Sequence, residues 1–262
     1  MIHQRVPTMA FGMSANESAP MNDRPAPHLL KPSSFAQDAA RITIPAGTRF
    51  GHRGGRAGIR KSRIVIEAFA GVSLAAGLHL FVAPNGSGKT TLMRTLAGLI
   101  PALSGRAEVA GRVHYVSDQM QLDDELSADD VFRAWVWGSA HTLALDMAQM
   151  LGLNTSTPIG DLSLGNRRKV PLILVEVLAA HSSPSVLLLD EPFAGMDAQT
   201  RESIAELWAT SASAMLRLVV LHELESIQKA DSLLSVAGGQ LLHASSQIGG
   251  SWMETCNRLR TS

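Results

Sequence analysis

The stretch Ala83-Pro84-Asn85-Gly86-Ser87-Gly88-Lys89-Thr90 decides the fold of this chain. An apolar run from Leu78 to Val82 leads into it, and a helix-like run from Thr90 to Ile100 leaves it. A glycine-rich loop between a strand and a helix can cradle phosphate, because its N–H groups turn inward and the helix dipole adds partial positive charge. The stretch therefore predicts a phosphate-binding loop. Its phosphate-binding residues are Asn85, Gly86, Ser87, Gly88, Lys89 and Thr90.

Three residues of this loop have distinct chemical roles. Lys89 is expected to reach the β- and γ-phosphates of a nucleotide, and the Thr90 hydroxyl to hold Mg²⁺. Ala83 stands where the pattern G-x-x-x-x-G-K-[ST] has a glycine. If that position needs a positive φ, alanine costs about 1 kcal/mol, and if it is extended strand the cost is small.

Composition bounds the class of protein. The chain has 262 residues, of which 45% are hydrophobic and 18% charged, and its net charge at pH 7 is zero. This profile is typical of a folded globular protein and gives no electrostatic reason to expect a nucleic-acid partner. Cys256 is the only cysteine, which indicates a reducing compartment without an intramolecular disulfide. No apolar run reaches the roughly 18 residues of a membrane span, and the start of the chain has no secretory signal pattern.

The two ends of the chain differ from the middle. Residues 1–40 are rich in Pro, Ser, Asn and Met without apolar periodicity, so we predict a disordered extension. Met9, Met13 and Met21 are candidate translation starts within it, and the alternative is that the extension is a regulatory tail. Residues 248–262 are predicted to be a frayed C-terminal tail.

Short β-like runs alternate with helix-like runs between residues 41 and 247. This alternation predicts an α/β fold with a mostly parallel sheet, including a last helix over residues 223–230. Ligand groups in such folds gather where parallel strands end. The polar residues predicted at these strand ends are Lys89, Gln119, Asp190, Glu191 and His222.

The segment from Leu126 to Leu151 is helical in pattern, and Ser127 is placed to cap its first turn. It contains the bulky residues Trp135 and Trp137. These indoles either pack in the core or form an exposed docking surface for a partner. The sequence leaves both alternatives open.

Two acids and a histidine give the chain its catalytic candidates. Asp190 follows an apolar strand, as does the acid that helps to hold Mg²⁺ in phosphate-loop enzymes. Glu191 points to the other side of an extended chain, where it can act as general base toward a water that attacks the γ-phosphate. His222 ends the next buried strand and is predicted to contact the γ-phosphate.

The order of these motifs resembles that of the nucleotide-binding domain of ATP-binding cassette (ABC) proteins. The resemblance covers about residues 41–245, and its signature motif and D-loop distinguish it from other phosphate-loop families. The matching stretches are Ala83–Thr91 for Walker A, Leu162–Asn166 for the signature, Leu187–Pro192 for Walker B, Ala194–Asp197 for the D-loop and His222 for the switch histidine.

The resemblance implies a phosphate-loop NTPase fold over residues 41–247. Its parts are a mostly parallel core sheet, an antiparallel β subdomain and a helical subdomain at about residues 120–168. It also implies that ATP and Mg²⁺ are bound, and that two such domains, in a homodimer or a heterodimer, close head to tail around two ATP molecules. Site residues implied by the resemblance are Thr91 on the phosphates, Asp197 in the D-loop, and Ser163, Leu164, Gly165 and Asn166 as the signature that meets the ATP of the other subunit.

Some positions depart from the family pattern. Leu164 replaces a glycine and Asn166 a glutamine. The Q-loop glutamine corresponds to Asp118 by strict alignment or to Gln119 one residue later. Phe50 is the candidate for stacking on adenine.

These observations favour the ATP-hydrolysing subunit of a transporter that energises a separate integral membrane permease. The chain would then be cytoplasmic and peripheral on the membrane, with the helical subdomain receiving the permease and no nucleic acid bound. One alternative is a soluble ABC ATPase that acts on nucleic acid or ribosomes. Another is a regulator that binds ATP without turnover. The transported substrate and the direction of transport stay open.

Overall fold

Two sheets form the β structure of the chain. The computed structural model describes residues 39–52, 63–117, 119–210, 215–222, 224, 227 and 229–261, and all of them lie in one compact unit, Gln37–Ser262. The strands are β1 (Arg41–Ile44), β2 (Thr48–His52), β3 (Arg63–Ala68), β4 (Val72–Leu74), β5 (Gly77–Phe81), β6 (Glu108–Ala110), β7 (Arg112–Val116), β8 (Ser185–Asp190), β9 (Leu216–Val220), β10 (Ser232–Ala237) and β11 (Gln240–Ala244).

The larger sheet has eight strands in the order β2-β3-β11-β10-β5-β9-β8-β7. The five strands from β10 to β7 pair in parallel, so their carboxyl ends meet at one edge. The smaller sheet, β4-β1-β6, is antiparallel. The predicted mostly parallel core sheet and antiparallel β subdomain are therefore confirmed.

Helices connect the parallel strands, as right-handed crossovers require. The helices are α1 (Lys89–Leu96), α2 (Ala128–Trp135), α3 (Ser139–Met150), α4 (Leu164–Ala180), α5 (Ala198–Thr210) and α6 (Trp252–Thr261), and a 3-10 turn spans Ile159–Asp161. None of the helices in the described part of the chain is long and apolar enough to cross a membrane.

The central strands are apolar on both faces because both faces are covered. In β8, Leu187 and Leu189 face the core formed with the helices α2 to α6. Val186 and Leu188 face the other core, formed with α1 and the smaller sheet. Asp190 continues this alternation and belongs to the α1 side of the sheet, which is the side of the phosphate loop.

The segment from Leu126 to Leu151, which is helical in pattern, forms two helices, α2 and α3. Ser127 caps α2 as predicted, in a reciprocal pair of hydrogen bonds with Asp130. Gly138, at φ 59°, separates α2 from α3. Trp135 and Trp137 are 61% and 81% exposed. The two indoles therefore lie on the surface and do not pack in the core.

The C-terminus corrects one expectation. Residues 248–262 were expected to fray, but Trp252–Thr261 forms α6 and buries Trp252 and Cys256 in the core. The prediction was wrong because these two residues, one helical turn apart, are an anchoring pattern too short to recognise among polar neighbours. The predicted disordered extension falls on residues 1–38, which lie outside the described residues, and the helix predicted over 223–230 falls partly outside them.

Candidate functional site

The phosphate loop joins the end of β5 to the start of α1. Gly88 has φ 98°, and a Cβ there would come within 2.5 Å of the Val65 side chain, so only glycine fits. Ala83 is buried, and its φ is not among the positive values of the described residues. Ala83 therefore has no positive φ, and the alanine at this position costs little conformational energy.

The Lys89 side chain folds back toward the start of the phosphate loop. Its Nζ donates hydrogen bonds to the carbonyl oxygens of Ala83 at 2.9 Å and Pro84 at 3.3 Å, and the side chain is buried. Burial lowers the pKa of Lys89, the carboxylates of Glu191 and Asp190 raise this pKa, and Arg260 lowers it. The ammonium is thus held by carbonyl oxygens at the place where phosphate oxygens would be stronger partners.

A cleft of about 390 Å³ opens above this lysine. It brings together the phosphate loop, the first turn of α1, the acid after β8 and the facing strands β2 and β3. Its lining residues are His52, Arg63, Val65, Asn85, Gly86, Gly88, Lys89, Thr90, Thr91 and Glu191. Ser87 is not in this lining, but its buried Oγ has no hydrogen-bond partner among the described residues.

The predicted acids and histidine meet at the ends of β8 and β9. Asp190 is buried, and the next residue, Glu191, has its Oε1 2.6 Å from His222 Nε2. A smaller cleft of about 170 Å³ surrounds this pair. Because β8 and β9 are parallel neighbours, the sheet itself brings the two side chains together.

Glu191 is the only residue other than glycine with a positive φ, 53°, in the described part of the chain. A left-handed conformation costs a residue with a Cβ about 1–2 kcal/mol. The backbone N–H of Glu191 donates to the Val220 carbonyl oxygen at 3.2 Å. This bond holds the strained turn, which aims the carboxylate at His222 and into the cleft. Backbone strain of this kind is typical of functional sites.

The signature residues begin α4. Ser163 is the N-cap, and its Oγ accepts a hydrogen bond from the backbone N–H of Asn166 at 3.3 Å. Leu164 is exposed, whereas Gly165 is buried. None of the four signature residues, all of them described, lines the phosphate-loop cleft. The N-terminus of α4, which favours anions, therefore lies outside the phosphate-loop cleft of the same chain.

The D-loop packs against the signature within the same chain. A Cβ on Gly165 would lie 2.3 Å from the Gly195 carbonyl oxygen, so the two loops touch through backbone. Asp197 caps α5 by accepting hydrogen bonds from the N–H and hydroxyl of Thr200 at 2.8 and 3.0 Å. These bonds hold the pKa of the Asp197 carboxyl below its usual range.

Of the two Q-loop candidates, Gln119 alone falls within the described residues. Asp118 is outside the described residues. Gln119 accepts a hydrogen bond from Arg94 Nη2 at 3.0 Å through its Oε1. It lines a separate cleft of about 360 Å³ together with Leu164 and residues of α4. The structure therefore places Gln119 between the sheet and the helical subdomain, outside the lining of the phosphate-loop cleft.

Phe50 cannot stack on a nucleotide, and this expectation was wrong. Its side chain is 0% exposed and packs in the core on the α1 side of the sheet. Strand alternation turns Phe50 inward, and the irregularity between Phe50 and Gly51 shifts the pairing beyond it. His52, two residues later, is exposed and lines the cleft. Sequence reasoning missed His52 because it sought the aromatic residue before the glycine.

Comparison with known proteins agrees with this geometry. The family model of the ABC transporter matches residues 73–194. The chain is 35% identical over 189 residues to the cytochrome c biogenesis ATP-binding export protein CcmA of Sphingopyxis alaskensis, across 69% of this chain and 93% of that protein. It is 34% identical over 199 residues to the aliphatic sulfonates import ATP-binding protein SsuB 1 of Pseudomonas fluorescens, across 68% of this chain and 73% of that protein.

Solved structures give the same fold. A dimeric bacterial ABC transporter cassette matches with a TM-score of 0.63 at 17% identity, over 79% of this chain and 99% of that chain. An identity this low shows the fold alone. Membership of a family is shown instead by the relatives above. The match to CcmA covers 93% of that protein. The chain belongs to the ABC transporter family and is one of its ATP-binding, ATP-hydrolysing subunits, which energise transport through a separate transmembrane permease.

Proposed function

We propose that this chain hydrolyses ATP in the cleft above Lys89, with Glu191 as general base and His222 as its partner. The observation that carries the proposal is the 2.6 Å contact between Glu191 Oε1 and His222 Nε2 beside a phosphate loop that shares its cleft with Glu191. A general base must lie within hydrogen-bond reach of the proton that it takes, and a phosphate bound at this loop would place an attacking water there.

The phosphate contacts follow from the loop geometry. Backbone N–H groups from Gly86 to Thr90 would surround the β-phosphate, and Lys89 would exchange its carbonyl partners for phosphate oxygens. The Ser87 hydroxyl, which is buried and makes no hydrogen bond to the described residues, is a further donor for these oxygens. Thr91 lines the same cleft and adds a contact to the α-phosphate side.

The residues fit Mg²⁺ by their chemistry. Mg²⁺ prefers hard oxygen ligands and usually takes one or two from protein side chains. Thr90 offers a hydroxyl at the start of α1, and Asp190 offers a buried carboxylate on the same side of the sheet. The ion would neutralise charge on the β- and γ-phosphates, while these two side chains hold its position.

Hydrolysis then needs one proton transfer. A water attacks the γ-phosphorus in line with the leaving oxygen of ADP, and the Glu191 carboxylate accepts the proton of that water. His222 fixes the direction of the carboxylate through their mutual contact and faces the transferred phosphoryl group. The new P–O bond forms as the bond to the ADP oxygen breaks, which leaves ADP and inorganic phosphate.

One chain supplies only half of the proposed site. The signature residues Ser163, Leu164, Gly165 and Asn166 lie outside the chain's own phosphate-loop cleft, yet they begin a 17-residue helix whose N-terminus suits an anion. We propose that two ATPase domains close head to tail, so that Ser163 and Gly165 of one meet the γ-phosphate on Lys89 of the other. Asp197, beside them in the D-loop, would join the same interface.

The adenine base needs a flat partner near the mouth of the cleft. His52 is the only ring among the residues that line it in the described part of the chain. Arg63, which pairs with His52 across β2 and β3, offers a guanidinium plane as a second surface. We propose that His52 stacks on the base, because flat ring contacts bury area with little loss of rotamer freedom.

The helical subdomain carries the proposed permease contact. Trp135 and Trp137 are largely exposed between α2 and α3, and indoles are the side chains that most often anchor interfaces. Gln119 lies in the cleft at the base of this subdomain and links it to α1 through Arg94. We propose that a cytoplasmic segment of an integral membrane permease docks here, which would hold the chain at the membrane surface.

Two measurements test this function. Lys89→Ala is expected to abolish ATP hydrolysis, and retention of wild-type activity would contradict the proposed site. For the permease contact, tagged wild-type chain should recover a membrane protein from detergent extracts, and Trp137→Ser should lose it. Met253→Ser, which changes an exposed apolar residue on α6, is the matched control and should retain the partner. Recovery of soluble partners alone would contradict a transport role.

The direction of transport has a specific indication. The relative CcmA is an export protein, and the form Leu-Ser-Leu-Gly followed by basic residues at 162–168 is similar to that of exporter-type subunits. We propose export as a second, finer assignment. Deletion of the gene should then leave the exported compound inside the cell, with a fall in c-type cytochromes if the role is that of CcmA. Loss of uptake of an external nutrient would contradict it.

A further inference from the structure

The C-terminal helix α6 packs on strands β10 and β11 and is anchored in the core. Trp252 and Cys256 are buried on its inner face. Thr255, which is fully buried, donates a hydrogen bond from Oγ1 to the Ser251 carbonyl oxygen at 2.8 Å and accepts one from the Ile248 N–H at 2.7 Å. This anchoring fixes the start of α6 and so determines where its last turn lies.

The last turn of α6 reaches β10, the strand that pairs with β5, and β5 leads into the phosphate loop. Arg260 Nε donates a hydrogen bond to Ser235 Oγ on β10 at 3.2 Å. Ser235 Oγ in turn donates to the Val82 carbonyl oxygen at 2.8 Å. A hydroxyl has one proton to donate and can accept another, so Ser235 fits between the guanidinium and the carbonyl group.

Val82 is the residue directly before the loop, and β10 holds both of its backbone groups. Its N–H donates to the Leu234 carbonyl oxygen at 3.0 Å, and its carbonyl oxygen is held by Ser235. The next carbonyl along the chain, that of Ala83, accepts the bond from Lys89. A continuous path of hydrogen bonds and backbone thus runs from Arg260 to Lys89.

The same arginine also acts by its charge. The positive charge of Arg260, whose side chain is exposed, lowers the pKa of Lys89, although Arg260 is not among the residues that line the cleft. The neighbouring basic residue of the last turn, Arg258, instead faces Glu254 at 3.4 Å on the outer side of α6. The two arginines have the same relation to the helix dipole but different partners.

We propose that Arg260 is a positioning residue of the nucleotide site, which sets the start of the phosphate loop through Ser235 and Val82 and adds positive potential for the ATP phosphates. The proposal rests on the ATP site proposed above. It assigns α6 a role in ATP affinity, so the C-terminal helix is part of the functional unit. Arg260 does not touch the reacting atoms, and its effect should appear in binding of ATP and much less in the chemical step.

The test compares ATP binding and hydrolysis by the full chain and its variants in the presence of Mg²⁺. Arg260→Gln should raise the Kd and KM for ATP about three- to ten-fold, with kcat within about twofold, because a hydrogen bond and a nearby charge are lost. Arg260→Lys should recover part of the affinity. Ser235→Ala should weaken binding similarly, and the double variant should show less than the sum of the two effects.

Arg258→Gln is the control, because it removes the same charge from the same helical turn. It should leave Kd unchanged, and the melting temperatures of the two glutamine variants should agree within a few degrees. If Arg260→Gln and Arg258→Gln bind ATP alike while Lys89→Ala does not bind, the role of Arg260 is overturned and the ATP site stands. If Arg260→Gln lowers only the melting temperature, Arg260 is merely structural and the inference also fails. Wild-type binding by Lys89→Ala would overturn the site and the inference together.

Discussion

Glu191 Oε1 lies 2.6 Å from His222 Nε2, at the carboxyl ends of two neighbouring parallel strands. Neither residue needs a long loop to reach the other, because the sheet register already pairs Asp190 with Val220. The positive φ of Glu191 then turns its carboxylate toward the histidine. The proposed catalytic pair is therefore brought together by strand order and one strained residue.

His222→Ala should separate catalysis from binding. We expect kcat for ATP hydrolysis to fall about 100-fold or more, the lower range for loss of a group that positions a general base, with the Kd for ATP within about threefold of wild type. Steady-state kinetics and equilibrium binding measure the two quantities. His141→Ala removes a second histidine–carboxylate contact, to Asp129 at 2.8 Å, and should leave kcat of the isolated chain unchanged. Equal losses in both variants would contradict the assignment.

Ala83→Gly tests whether the phosphate loop is already relaxed. Ala83 has no positive φ, so glycine relieves no strain and adds only flexibility. The Kd for ATP should therefore change by less than about tenfold, which corresponds to about 1.4 kcal/mol. Isothermal titration with the Glu191→Gln background, which prevents turnover, gives the value. A larger gain in affinity would mean that the alanine strains the loop.

Phe50 and His52 should give opposite results when replaced by alanine. Phe50→Ala removes a fully buried ring and should lower the free energy of unfolding by about 3–5 kcal/mol. His52→Ala changes an exposed residue and should leave stability within about 0.5 kcal/mol while raising the KM for ATP. Thermal unfolding and ATPase kinetics on both variants decide the matter. A change in KM without loss of stability for Phe50→Ala would restore the original stacking candidate.

Gly165→Ala is expected to damage the chain before any partner is involved. The added Cβ would lie 2.3 Å from the Gly195 carbonyl oxygen and 3.2 Å from Met196 Cα, so the D-loop must shift. We expect a loss of about 1–3 kcal/mol in the free energy of unfolding. Asn166→Ala, one residue later on α4 and only half-buried, should change stability by less than about 0.5 kcal/mol. Equal stability of both variants would show that the two loops do not touch in solution.

The sequence predicted the placement of those candidate site residues whose position depends on local order along the chain. Phosphate loop, acids and histidine each follow an apolar strand, and parallel strands bring such ends to one edge whatever the details of packing. Capping chemistry, a serine followed by acids in the first turn, also identified Ser127 as a helix cap. These features needed only neighbouring residues and a general rule about sheets.

The two wrong predictions, for Phe50 and for the C-terminal tail, concern structure that depends on contacts between residues far apart in sequence. Phe50 was chosen by its place before a glycine, but strand alternation buries it, and a shift in strand pairing after it precedes His52, which lines the cleft. The helix α6 is polar in composition, and only its contacts with β10 and β11 through residues such as Trp252 and Cys256 make it stable. The link from Arg260 to Val82 joins residues far apart in sequence, and no local pattern marks it.

If two chains share each ATP, Glu191→Gln should trap the closed dimer. This variant keeps the size and hydrogen-bonding capacity of the side chain but removes the base, so bound ATP should persist. Sedimentation with Mg²⁺ and ATP should show a dimer that holds two ATP molecules and returns to monomers when ATP is removed. A variant that stays monomeric with saturating ATP would contradict the shared site, and one that hydrolyses ATP at the wild-type rate would contradict Glu191 as the base.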